Sequence, residues 1–337
     1  MKIKVIIPCR NELGYIGKCL DSLVHCNQTG VELHVWVVDG MSDDGTRALV
    51  GEYAERYSFI KLVDNARRTT PYALNLGLEP LDYDIGIILG AHAVVDADFI
   101  INNARVLEQH PEVGCAGGII RNVHENEWSE IISLAMSSVF GVGNAHFRTG
   151  GKSGYVDTVA FGAYRREVFE RVGFFDEELA RNQDDEFNYR VLQGGFKIYL
   201  DPAILSDYYV RGSISKLYKQ YDQYGYWKVF VNKKHGAVTT LRQLAPPLWV
   251  FFLLVGWTGV LIHPILGGMY AVVVAMYVAL AFYTASRMPV KSLRNFLMLL
   301  RTFGVLHFSY GLGYLRGVIH FYFFGSKPST HSERLTR

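Results

Sequence analysis

The sequence predicts an α/β fold with a mostly parallel sheet, followed by C-terminal helices inside a membrane. Residues 1–121 alternate short apolar runs with segments that carry apolar residues at helical spacing. Continuous apolar strands separated by amphipathic helices are typical of a parallel sheet covered on both faces. Between Gln243 and Ser286 the chain has no Asp, Glu, Lys or Arg. That stretch is long enough for two spanning helices of about 20 residues each.

Strands and helices alternate in the first third of the chain. Each predicted strand is a short apolar run, and turn or capping residues separate it from the next helix. At one helix start, Thr70 is the predicted N-cap and Pro71 the first helical residue. The predicted strands are Lys4–Pro8, Leu33–Val38, Phe59–Val63, Ile85–Leu89 and Val113–Ile119, and the predicted helices are Leu13–Leu23, Thr46–Tyr57, Tyr72–Leu78 and Asp98–Glu108.

Polar residues end or follow three of the predicted strands. They are Arg10–Glu12, Asp39 and Gly90–His92. Because ligands bind past the carboxyl ends of strands in such sheets, we expect these clusters to meet in one site. A carboxylate such as Asp39 accepts hydrogen bonds from a ribose or from the N–H of a base. Asp43 and Asp44 are instead expected to belong to the turn and to cap the next helix.

Two arginines precede the helix Tyr72–Leu78. A diphosphate near a helix N-terminus is well stabilised by a guanidinium group, which makes Arg67 or Arg68 a candidate anion contact. The other of the two is expected to be a solvated surface charge.

Composition excludes several classes of protein. The net charge of +2 is too small to indicate nucleic-acid binding. No Gly-x-Gly-x-x-Gly follows the first strand and no Walker sequence occurs, which disfavours a dinucleotide oxidoreductase or a P-loop enzyme. The four cysteines form no Cys-x-x-Cys pair and are expected to be reduced thiols; they are Cys9, Cys19, Cys26 and Cys115.

The apolar C-terminal region predicts a membrane hairpin that turns at His263–Gly268. Basic residues at 287–301, and Arg242 before the first span, place both flanks on the cytoplasmic side. Thr302–Phe324 either spans or lies in the interface. The N-terminus lacks the features of a signal peptide. We therefore expect a cytoplasmic domain at 1–240, a membrane region at 241–326 and a tail at 327–337, in a multi-pass protein of the inner or plasma membrane. The alternative is a soluble protein with a helical extension.

Several motifs resemble those of the inverting family 2 glycosyltransferases, which have a GT-A fold. They are PCRNELGYIGKCLDSL, VVDGMSDDGT, RRTTPYALNLGL and RNQDDEFNYRVLQGG. The resemblance is closer to the ExoA-like branch of succinoglycan synthesis, and there it extends through FGVGNAHFRTG, VDTVAFGAYRREVFERVGFFDEEL and RGSISKLYKQYDQYGYWK. It covers roughly residues 3–235. It implies a nucleotide-sugar donor bound by Pro8, Arg10, Glu12, Asp39, Arg68 and Ala91.

The same resemblance places Gly90-Ala91-His92 at the family's Asp-any-Asp position, which holds a metal ion on the diphosphate. From the residues alone His92 is either a polar turn residue or a ligand; the resemblance puts it at the ligand position. An imidazole is an acceptable ligand for Mn²⁺ and less so for Mg²⁺, so Mn²⁺ is the favoured cofactor. Gly90 replaces an acid, which leaves metal affinity and nucleotide preference open. Asp96 and Asp98 are expected to cap the helix ahead of Phe99.

A second acid cluster is Gln183–Glu186. Inverting transfer requires one carboxylate to take a proton from the acceptor hydroxyl as that hydroxyl attacks the anomeric carbon. The resemblance aligns Asp184 with this general base. Asp185 and Glu186 are expected to favour the helix N-terminus through its dipole.

Acceptor-side residues are also implied by the resemblance, namely Asp157, Arg211, Gln220, Tyr224 and Trp227. Processive family members carry Gln-x-x-Arg-Trp here, whereas this chain does not, which favours a single sugar addition. The basic, aromatic segment Lys216–Lys234 lies either at an anionic membrane surface or in the core as an amphipathic helix.

The combined prediction is an inverting glycosyltransferase that moves one hexose, glucose from UDP-glucose, to a lipid-linked saccharide. The acceptor is expected to be carried on polyprenyl diphosphate at the cytoplasmic face, in exopolysaccharide or surface polysaccharide synthesis. One alternative is transfer directly to polyprenyl phosphate. Another is a catalytically inactive nucleotide-sugar-binding assembly protein.

Overall fold

A computed structural model describes residues 1–210, 212–325 and 328. The chain divides into two compact units. Unit 1 comprises Met1–Asn122 and His146–Tyr209, and unit 2 comprises Val123–Ala145 and the residues from Val210 onward. This division differs from the predicted boundary near residue 240, because the helix that follows Val210 and the segment Val123–Ala145 both pack among the C-terminal helices.

The strands of unit 1 form one sheet, which has nine strands within the described residues. Their order is β3-β2-β1-β4-β8-β6-β9-β5, with β7 also paired to β9. The strands are β1 (Lys2–Cys9), β2 (Glu32–Asp39), β3 (Ile60–Asp64), β4 (Ile85–Ile88), β5 (Ala93–Val95), β6 (Val113–Val123), β7 (Gly154–Val156), β8 (Ala160–Arg165) and β9 (Lys197–Tyr209).

Half of the sheet is parallel and half is antiparallel. The pairs among β1, β2, β3 and β4 are parallel, as predicted. By contrast, β8 runs antiparallel to both β4 and β6, and β5 and β7 run antiparallel to β9. The predicted strand at 113–119 therefore exists as β6, but it belongs to the antiparallel half.

The helices cover this sheet and build unit 2. They are α1 (Leu13–Val24), α2 (Thr46–Arg56), α3 (Thr70–Leu78), α4 (Phe99–Gln109), α5 (Glu127–Met136), α6 (Val139–Val142), α7 (His146–Thr149), α8 (Arg166–Val172), α9 (Gln183–Gln193), α10 (Ile214–His235), α11 (Ala245–Gly256), α12 (Gly259–Ile262), α13 (Pro264–Ser286) and α14 (Leu293–Val318). A 3₁₀ turn (Leu241–Leu244) precedes α11, and a π-helical turn (Ile319–Phe323) follows α14.

Alternation along β1 divides the core of unit 1 between the two faces of the sheet. Ile3, Val5 and Ile7 face the side that α1 and α4 cover. Ile6 faces the side that α3, α8 and α9 cover. On that second side Lys4 is also buried, where its ammonium pairs with Asp82, and burial lowers the pKa of Lys4. Helices cover both faces of the sheet, so a ligand has to bind at one of its edges.

Three expected side-chain caps are wrong. Helix α3 begins at Thr70 itself, after an N-cap residue whose side chain makes no capping bond. Asp98 occupies the N-cap position of α4 without a capping bond and instead accepts from Asn27 at 3.1 Å. Asp96 forms an ion pair with Arg121. Both aspartates therefore use their carboxylates for tertiary contacts rather than for capping.

The described part of unit 2 contains three helical segments long and apolar enough to cross a membrane. They are Leu241–Ile262, Pro264–Ser286 and Leu293–Phe323, of which 11%, 6% and 50% respectively is buried within the protein. The predicted break at His263 is present, because α13 begins at Pro264 and the imidazole of His263 caps it by accepting from Ile265 N at 3.2 Å. The predicted hairpin therefore has two segments in which few residues are buried.

The third segment is different because α14 packs against α5, α10 and α11. Two glycines allow the backbones of α10 and α14 to approach closely. A Cβ on Gly225 would lie 2.0 Å from the carbonyl oxygen of Tyr310, and one on Gly313 would lie 2.0 Å from that of Asp222. One side of α14 is therefore committed to protein contacts.

Candidate active site

The register of the parallel strands brings the three predicted polar clusters to one edge. Cys9 of β1 lies opposite Asp39 of β2, and Ile6 lies opposite Ile88 of β4. The clusters at 10–12 and 90–92 follow directly, so both continue past the same carboxyl edge. A Cβ on Gly40 would lie 3.3 Å from the side chain of Arg10, which places Arg10 beside the loop that follows β2.

Asp39 is fully buried at this edge and is held by its own loop. Its carboxylate accepts from Ser42 N at 2.9 Å and from Arg47 Nη1 at 2.8 Å. Arg47 also bonds Asp64, which ends β3, at 2.7 Å. A carboxylate has more lone pairs than these donors use, so Asp39 retains the capacity to accept from a ligand.

Asp43 and Asp44 belong to the turn after β2, as the sequence suggested, but the N-cap residue of α2 is Gly45, which has no side chain to cap that helix. Asp43 accepts from Asn11 Nδ2 at 2.9 Å, and Asn11 Oδ1 accepts from Asp43 N at 3.0 Å. Asp44 accepts from the backbone N–H groups of Thr46 and Leu13. Burial opposes ionisation of Asp44, but the hydrogen bonds from Thr46 and Leu13 outweigh it and lower its pKa. These bonds tie the loops after β1 and β2 together.

His92 lies between β4 and β5, directly before Ala93, and beside Glu12. The distance from His92 Nδ1 to Glu12 Oε1 is 3.9 Å, and the two side chains are 18% and 12% exposed. The ring of Tyr208 contacts the imidazole edge-on at 5.3 Å between centroids. This contact follows from the sheet, because Ala93 at the start of β5 pairs with Tyr208 of β9. The imidazole is thus fixed between the end of β1 and the end of β9.

Gly90 leaves room for two aromatic rings at the position where the Asp-any-Asp pattern has its first acid. A Cβ at this position would lie 3.3 Å from Cε1 of His92 and 3.3 Å from Cε1 of Phe161. Phe161 has a left-handed backbone with φ 51°, a conformation that costs about 1 kcal/mol or more outside glycine. An aspartate at position 90 would displace one of these rings, so the glycine and the His92–Phe161 arrangement belong together.

Helix α9 carries the second acid cluster, and its members have different environments. Asp184 lies in the first turn and is exposed, whereas Glu186 is buried and forms an ion pair with Arg190 at 2.7 Å. Arg190 also donates to two backbone carbonyls, those of Val172 and Phe174. Glu186 therefore fastens the helix, and Asp184 is the acid that faces solvent.

Two hydrogen bonds fasten α9 to the strand next to β4. Asn188 Nδ2 donates to Thr158 Oγ1 at 2.9 Å, and Tyr164 Oη donates to Asn188 Oδ1 at 2.8 Å. Burial raises the pKa of the Tyr164 phenol well above its usual value, and Cys115 and Asp184 raise it further. The Tyr164 hydroxyl therefore stays protonated and remains a donor to Asn188.

His92 and Asp184 lie toward the same edge of the sheet. Because β8 runs antiparallel to β4, the start of β8 lies at the carboxyl end of β4. The contact between Phe161 and Gly90 shows this directly. Thr158 precedes β8 and holds Asn188, and Asp184 lies on the same helix face as Asn188 at a spacing of four residues. The two ends of the candidate site are thus tied to one strand junction.

The remaining donor-side candidates have varied environments. Arg67 pairs with Glu177 and lies over the ring of Tyr72 at 4.2 Å, so it is the engaged member of its pair. Arg68 is exposed and has a left-handed backbone with φ 60°. Pro8 pairs within the sheet opposite Val38, and Ala91 is 2% exposed. Pro8 and Ala91 would contact a nucleotide through their backbone atoms and would shape its pocket.

The acceptor-side candidates are distributed over both units. Asp157 is exposed in unit 1, directly before Thr158, while Arg211 lies outside the described residues. On α10 of unit 2, the amide of Gln220 donates to the hydroxyl of Tyr224 at 2.7 Å, and Trp227 is fully buried. Trp227 can therefore act only through the packing of its helix, and the acceptor roles of this set remain predictions.

Sequence reasoning missed the residues that support His92 and Asp184. Phe161 and Tyr208 contact the site through strand pairings that are antiparallel and distant in sequence. Asn188 carried a signal, since its spacing of four residues from Asp184 is the helical repeat. Thr158 carried none, because a threonine before a short strand is common.

The sheet and the helices that cover it have the GT-A architecture. Among solved structures, the chain is similar to the mannosyltransferase PcManGT from Pyrobaculum calidifontis, in complex with GDP-Man and Mn²⁺ (TM-score 0.58, 19% identity, 94% of this chain and 86% of that chain). It is also similar to S. aureus TarS 1–349 in complex with UDP-GlcNAc (TM-score 0.54, 16% identity, 94% and 92%).

Sequence relatives place the chain more narrowly. The profile of glycosyl transferase family 2 matches residues 4–173. A Methanococcus voltae protein, dolichyl N-acetyl-alpha-D-glucosaminyl phosphate 3-beta-D-2,3-diacetamido-2,3-dideoxy-beta-D-glucuronosyltransferase, is 34% identical over 240 residues, 69% of this chain and 74% of the relative. The succinoglycan biosynthesis protein ExoA of Rhizobium meliloti is 28% identical over 246 residues, 72% and 73%. The chain belongs to glycosyl transferase family 2, which confirms the predicted family and the predicted enzyme class.

Proposed function

We propose that this glycosyltransferase is an inverting enzyme that adds one hexose, glucose from UDP-glucose, to a saccharide carried on polyprenyl diphosphate. The observation that carries this proposal is the position of Asp184. It is an exposed carboxylate in the first turn of a helix that is fastened to the same sheet edge as His92 and Glu12.

The chemistry assigned to Asp184 is general-base catalysis. The acceptor hydroxyl attacks the anomeric carbon from the face opposite the nucleotide, and Asp184 takes its proton as the new C–O bond forms. The bond from the sugar to UDP breaks in the same step, so the configuration inverts and an α-linked donor gives a β-linked product. A positioned base typically contributes about 10²- to 10⁴-fold to such a rate.

The donor nucleotide is assigned to the opposite part of the edge. Glu12 and Asp39 would accept hydrogen bonds from the base or ribose, and Arg10 and Arg68 would meet the phosphates. Pro8 and Ala91 would shape the pocket through their backbone. The bonds between the loops after β1 and β2 support this role, because they order the groups before the nucleotide arrives.

A divalent ion, Mn²⁺ in preference to Mg²⁺, is proposed beside His92. Within residues 1–210, 212–325 and 328, no group of three or more His, Cys, Asp or Glu side chains could hold a metal ion. His92 fits an ion that takes its other ligands from the donor phosphates and water, and the carboxylate of Glu12, 3.9 Å from the imidazole, adds negative charge nearby. When bound, such an ion would neutralise the departing diphosphate.

A lipid-linked acceptor and a membrane location are supported by the relatives and by unit 2. The Methanococcus voltae relative is named for a dolichyl phosphate sugar. We place α11 and α13 across the inner or plasma membrane, with the basic residues 287–301 and unit 1 on the cytoplasmic side. Asp157, Arg211, Gln220, Tyr224 and Trp227 are the proposed acceptor-side residues.

The test uses the full chain purified in detergent. UDP-glucose, UDP-GlcNAc and a UDP-uronate are each incubated with a polyprenyl-diphosphate saccharide or with polyprenyl phosphate, with and without EDTA. The proposal predicts transfer of a single glucose to the saccharide, loss of most activity in EDTA, and a β-configured product by NMR. Transfer to polyprenyl phosphate alone would establish the alternative acceptor class. No consumption of any donor would establish an inactive binding protein.

A further inference from the structure

Most arginines of unit 1 that contact other groups meet a carboxylate, and Arg148 does not. Arg47, Arg105, Arg121 and Arg190 each form an ion pair with aspartate or glutamate. Arg148 of α7 makes no hydrogen bond or ion pair within the part of the chain that the structure describes, and its Nη1 atom is buried. Its guanidinium lies over the ring of Tyr208 at 5.2 Å and over that of Phe147 at 5.3 Å.

A buried guanidinium nitrogen without an acceptor is costly, because it has lost water and gained no partner. The carboxylate next to Tyr208 along β9 is already engaged, since Asp207 accepts from Arg121 Nε at 2.7 Å. The aromatic contacts orient the guanidinium plane but satisfy none of its N–H groups. The two rings therefore hold the Arg148 side chain in place without using its N–H donors.

The position of Arg148 relates it to the donor edge. Tyr208 contacts Arg148 and also contacts His92, with ring centroids 5.3 Å apart in the second pair. Arg148 is thus one aromatic ring away from the imidazole that we assign to the leaving diphosphate. Gly90 contributes no carboxylate here, so an anion that approaches meets less repulsion than it would beside an aspartate.

We propose that Arg148 binds a phosphate group of the donor nucleoside diphosphate. The planar fork of a guanidinium forms two parallel hydrogen bonds with phosphate oxygens, and the aromatic contacts of Arg148 use none of its N–H groups. This inference depends on the proposed function, since it takes the nucleotide to lie at the His92 edge. It adds a phosphate contact from α7, a segment outside the matched strand ends.

The experiment measures equilibrium binding of UDP and of uridine to the detergent-purified full chain by calorimetry in EDTA. Arg148→Gln should weaken UDP binding by about 10- to 100-fold and leave uridine binding unchanged. The UDP affinity of Arg148→Lys should lie between those of the wild type and Arg148→Gln, because lysine keeps the positive charge but lacks the planar pair of N–H donors. Arg56→Gln is the matched control: it removes one exposed positive charge from the end of α2 and should bind UDP like the wild type.

Thermal unfolding without ligand separates a binding role from a structural one. Since the unpaired guanidinium is unfavourable in the free protein, Arg148→Gln should unfold at the same or a higher temperature than the wild type. A lower midpoint, or equal loss of UDP and uridine binding, would mean that Arg148 supports the fold and would overturn the inference. If wild type and Arg148→Gln bind UDP equally, the inference fails and the proposed function stands. If the wild type binds neither UDP nor GDP when Mn²⁺ replaces EDTA, the proposed function fails as well.

Discussion

The two ends of the candidate site are built in opposite ways. At the donor end, Asp39 is fully buried and its carboxylate is held by Ser42 and Arg47. On α9, Asp184 is exposed, and the rigidity comes from its neighbour Glu186, which is buried against Arg190. The difference indicates that the donor end is organised for binding in a fixed geometry, whereas α9 presents one exposed carboxylate, Asp184, where an acceptor can reach it.

The largest expected effect separates the neighbouring acids of α9. Asp184→Asn should lower the rate of sugar transfer by about 10²- to 10⁴-fold, because the amide cannot take the acceptor proton. Asp185→Asn is the matched control and should stay within a few-fold of the wild type. Transfer is measured with saturating donor and acceptor. Near-normal transfer by Asp184→Asn would favour an acceptor that is already ionised, such as a phosphate.

The next effect concerns stability and compares two ion pairs of the same i,i+4 type. Glu186→Ala should cost about 3 kcal/mol, because it leaves Arg190 partly buried without its partner. Glu170→Ala should cost less than about 1 kcal/mol, since Glu170 and Arg166 are 49% and 41% exposed. Thermal unfolding in detergent compares them. Equal losses would mean that Glu186 does not anchor α9.

A smaller effect tests the space beside His92. Gly90→Ala should weaken UDP binding in Mn²⁺ by about 10-fold, because the new methyl group presses on the imidazole and on Phe161. Gly51→Ala is the control: a Cβ there meets nothing within 4 Å, so this helical glycine should tolerate the change or gain up to about 1 kcal/mol of stability. Unchanged binding in Gly90→Ala would show that the position of the His92 ring does not matter.

The smallest expected effect concerns the cysteines at the end of β1 and in or just after α1, whose thiols should not react with maleimide in the native protein. Cys9 and Cys19 are buried, and burial raises the pKa of both thiols; the carboxylate of Asp39 adds to this effect at Cys9. Burial likewise raises the pKa of Cys26 to about 12. Because the thiolate is the reactive form, maleimide at neutral pH should label these residues only after denaturation. Rapid labelling of the native protein would show that this end opens readily.

The sequence predicted the parallel half of the fold well and the antiparallel half poorly. The strands from Lys2 to Ile88 are mostly apolar runs between amphipathic helices, and this pattern has few alternative interpretations. Strand β9 contains Asp201 and Pro202, and β7 has three residues, so neither has a clear period. The second half of the sheet depends on pairings that only the folded chain displays.

The site was predictable to the same extent. The carboxyl ends of parallel strands meet at one edge of a sheet, so the sequence alone predicts that Glu12, Asp39 and His92 lie at one edge. The expected caps at Asp96 and Asp98 failed because their oxygens have tertiary partners. The contact of Phe161 with Gly90 depends on the antiparallel pairing of β8 with β4, and no local sequence pattern predicts that pairing.

We assign donor binding to the end that contains His92 and proton transfer to Asp184. The affinity for UDP tests this assignment most directly. The dissociation constant of UDP in Mn²⁺ is measured for His92→Ala and Asp184→Asn in parallel with the wild type. The account predicts clear weakening in His92→Ala and a constant within about twofold of the wild type in Asp184→Asn, because only His92 lies at the donor end. Weakened UDP binding in Asp184→Asn, together with normal binding in His92→Ala, would contradict it.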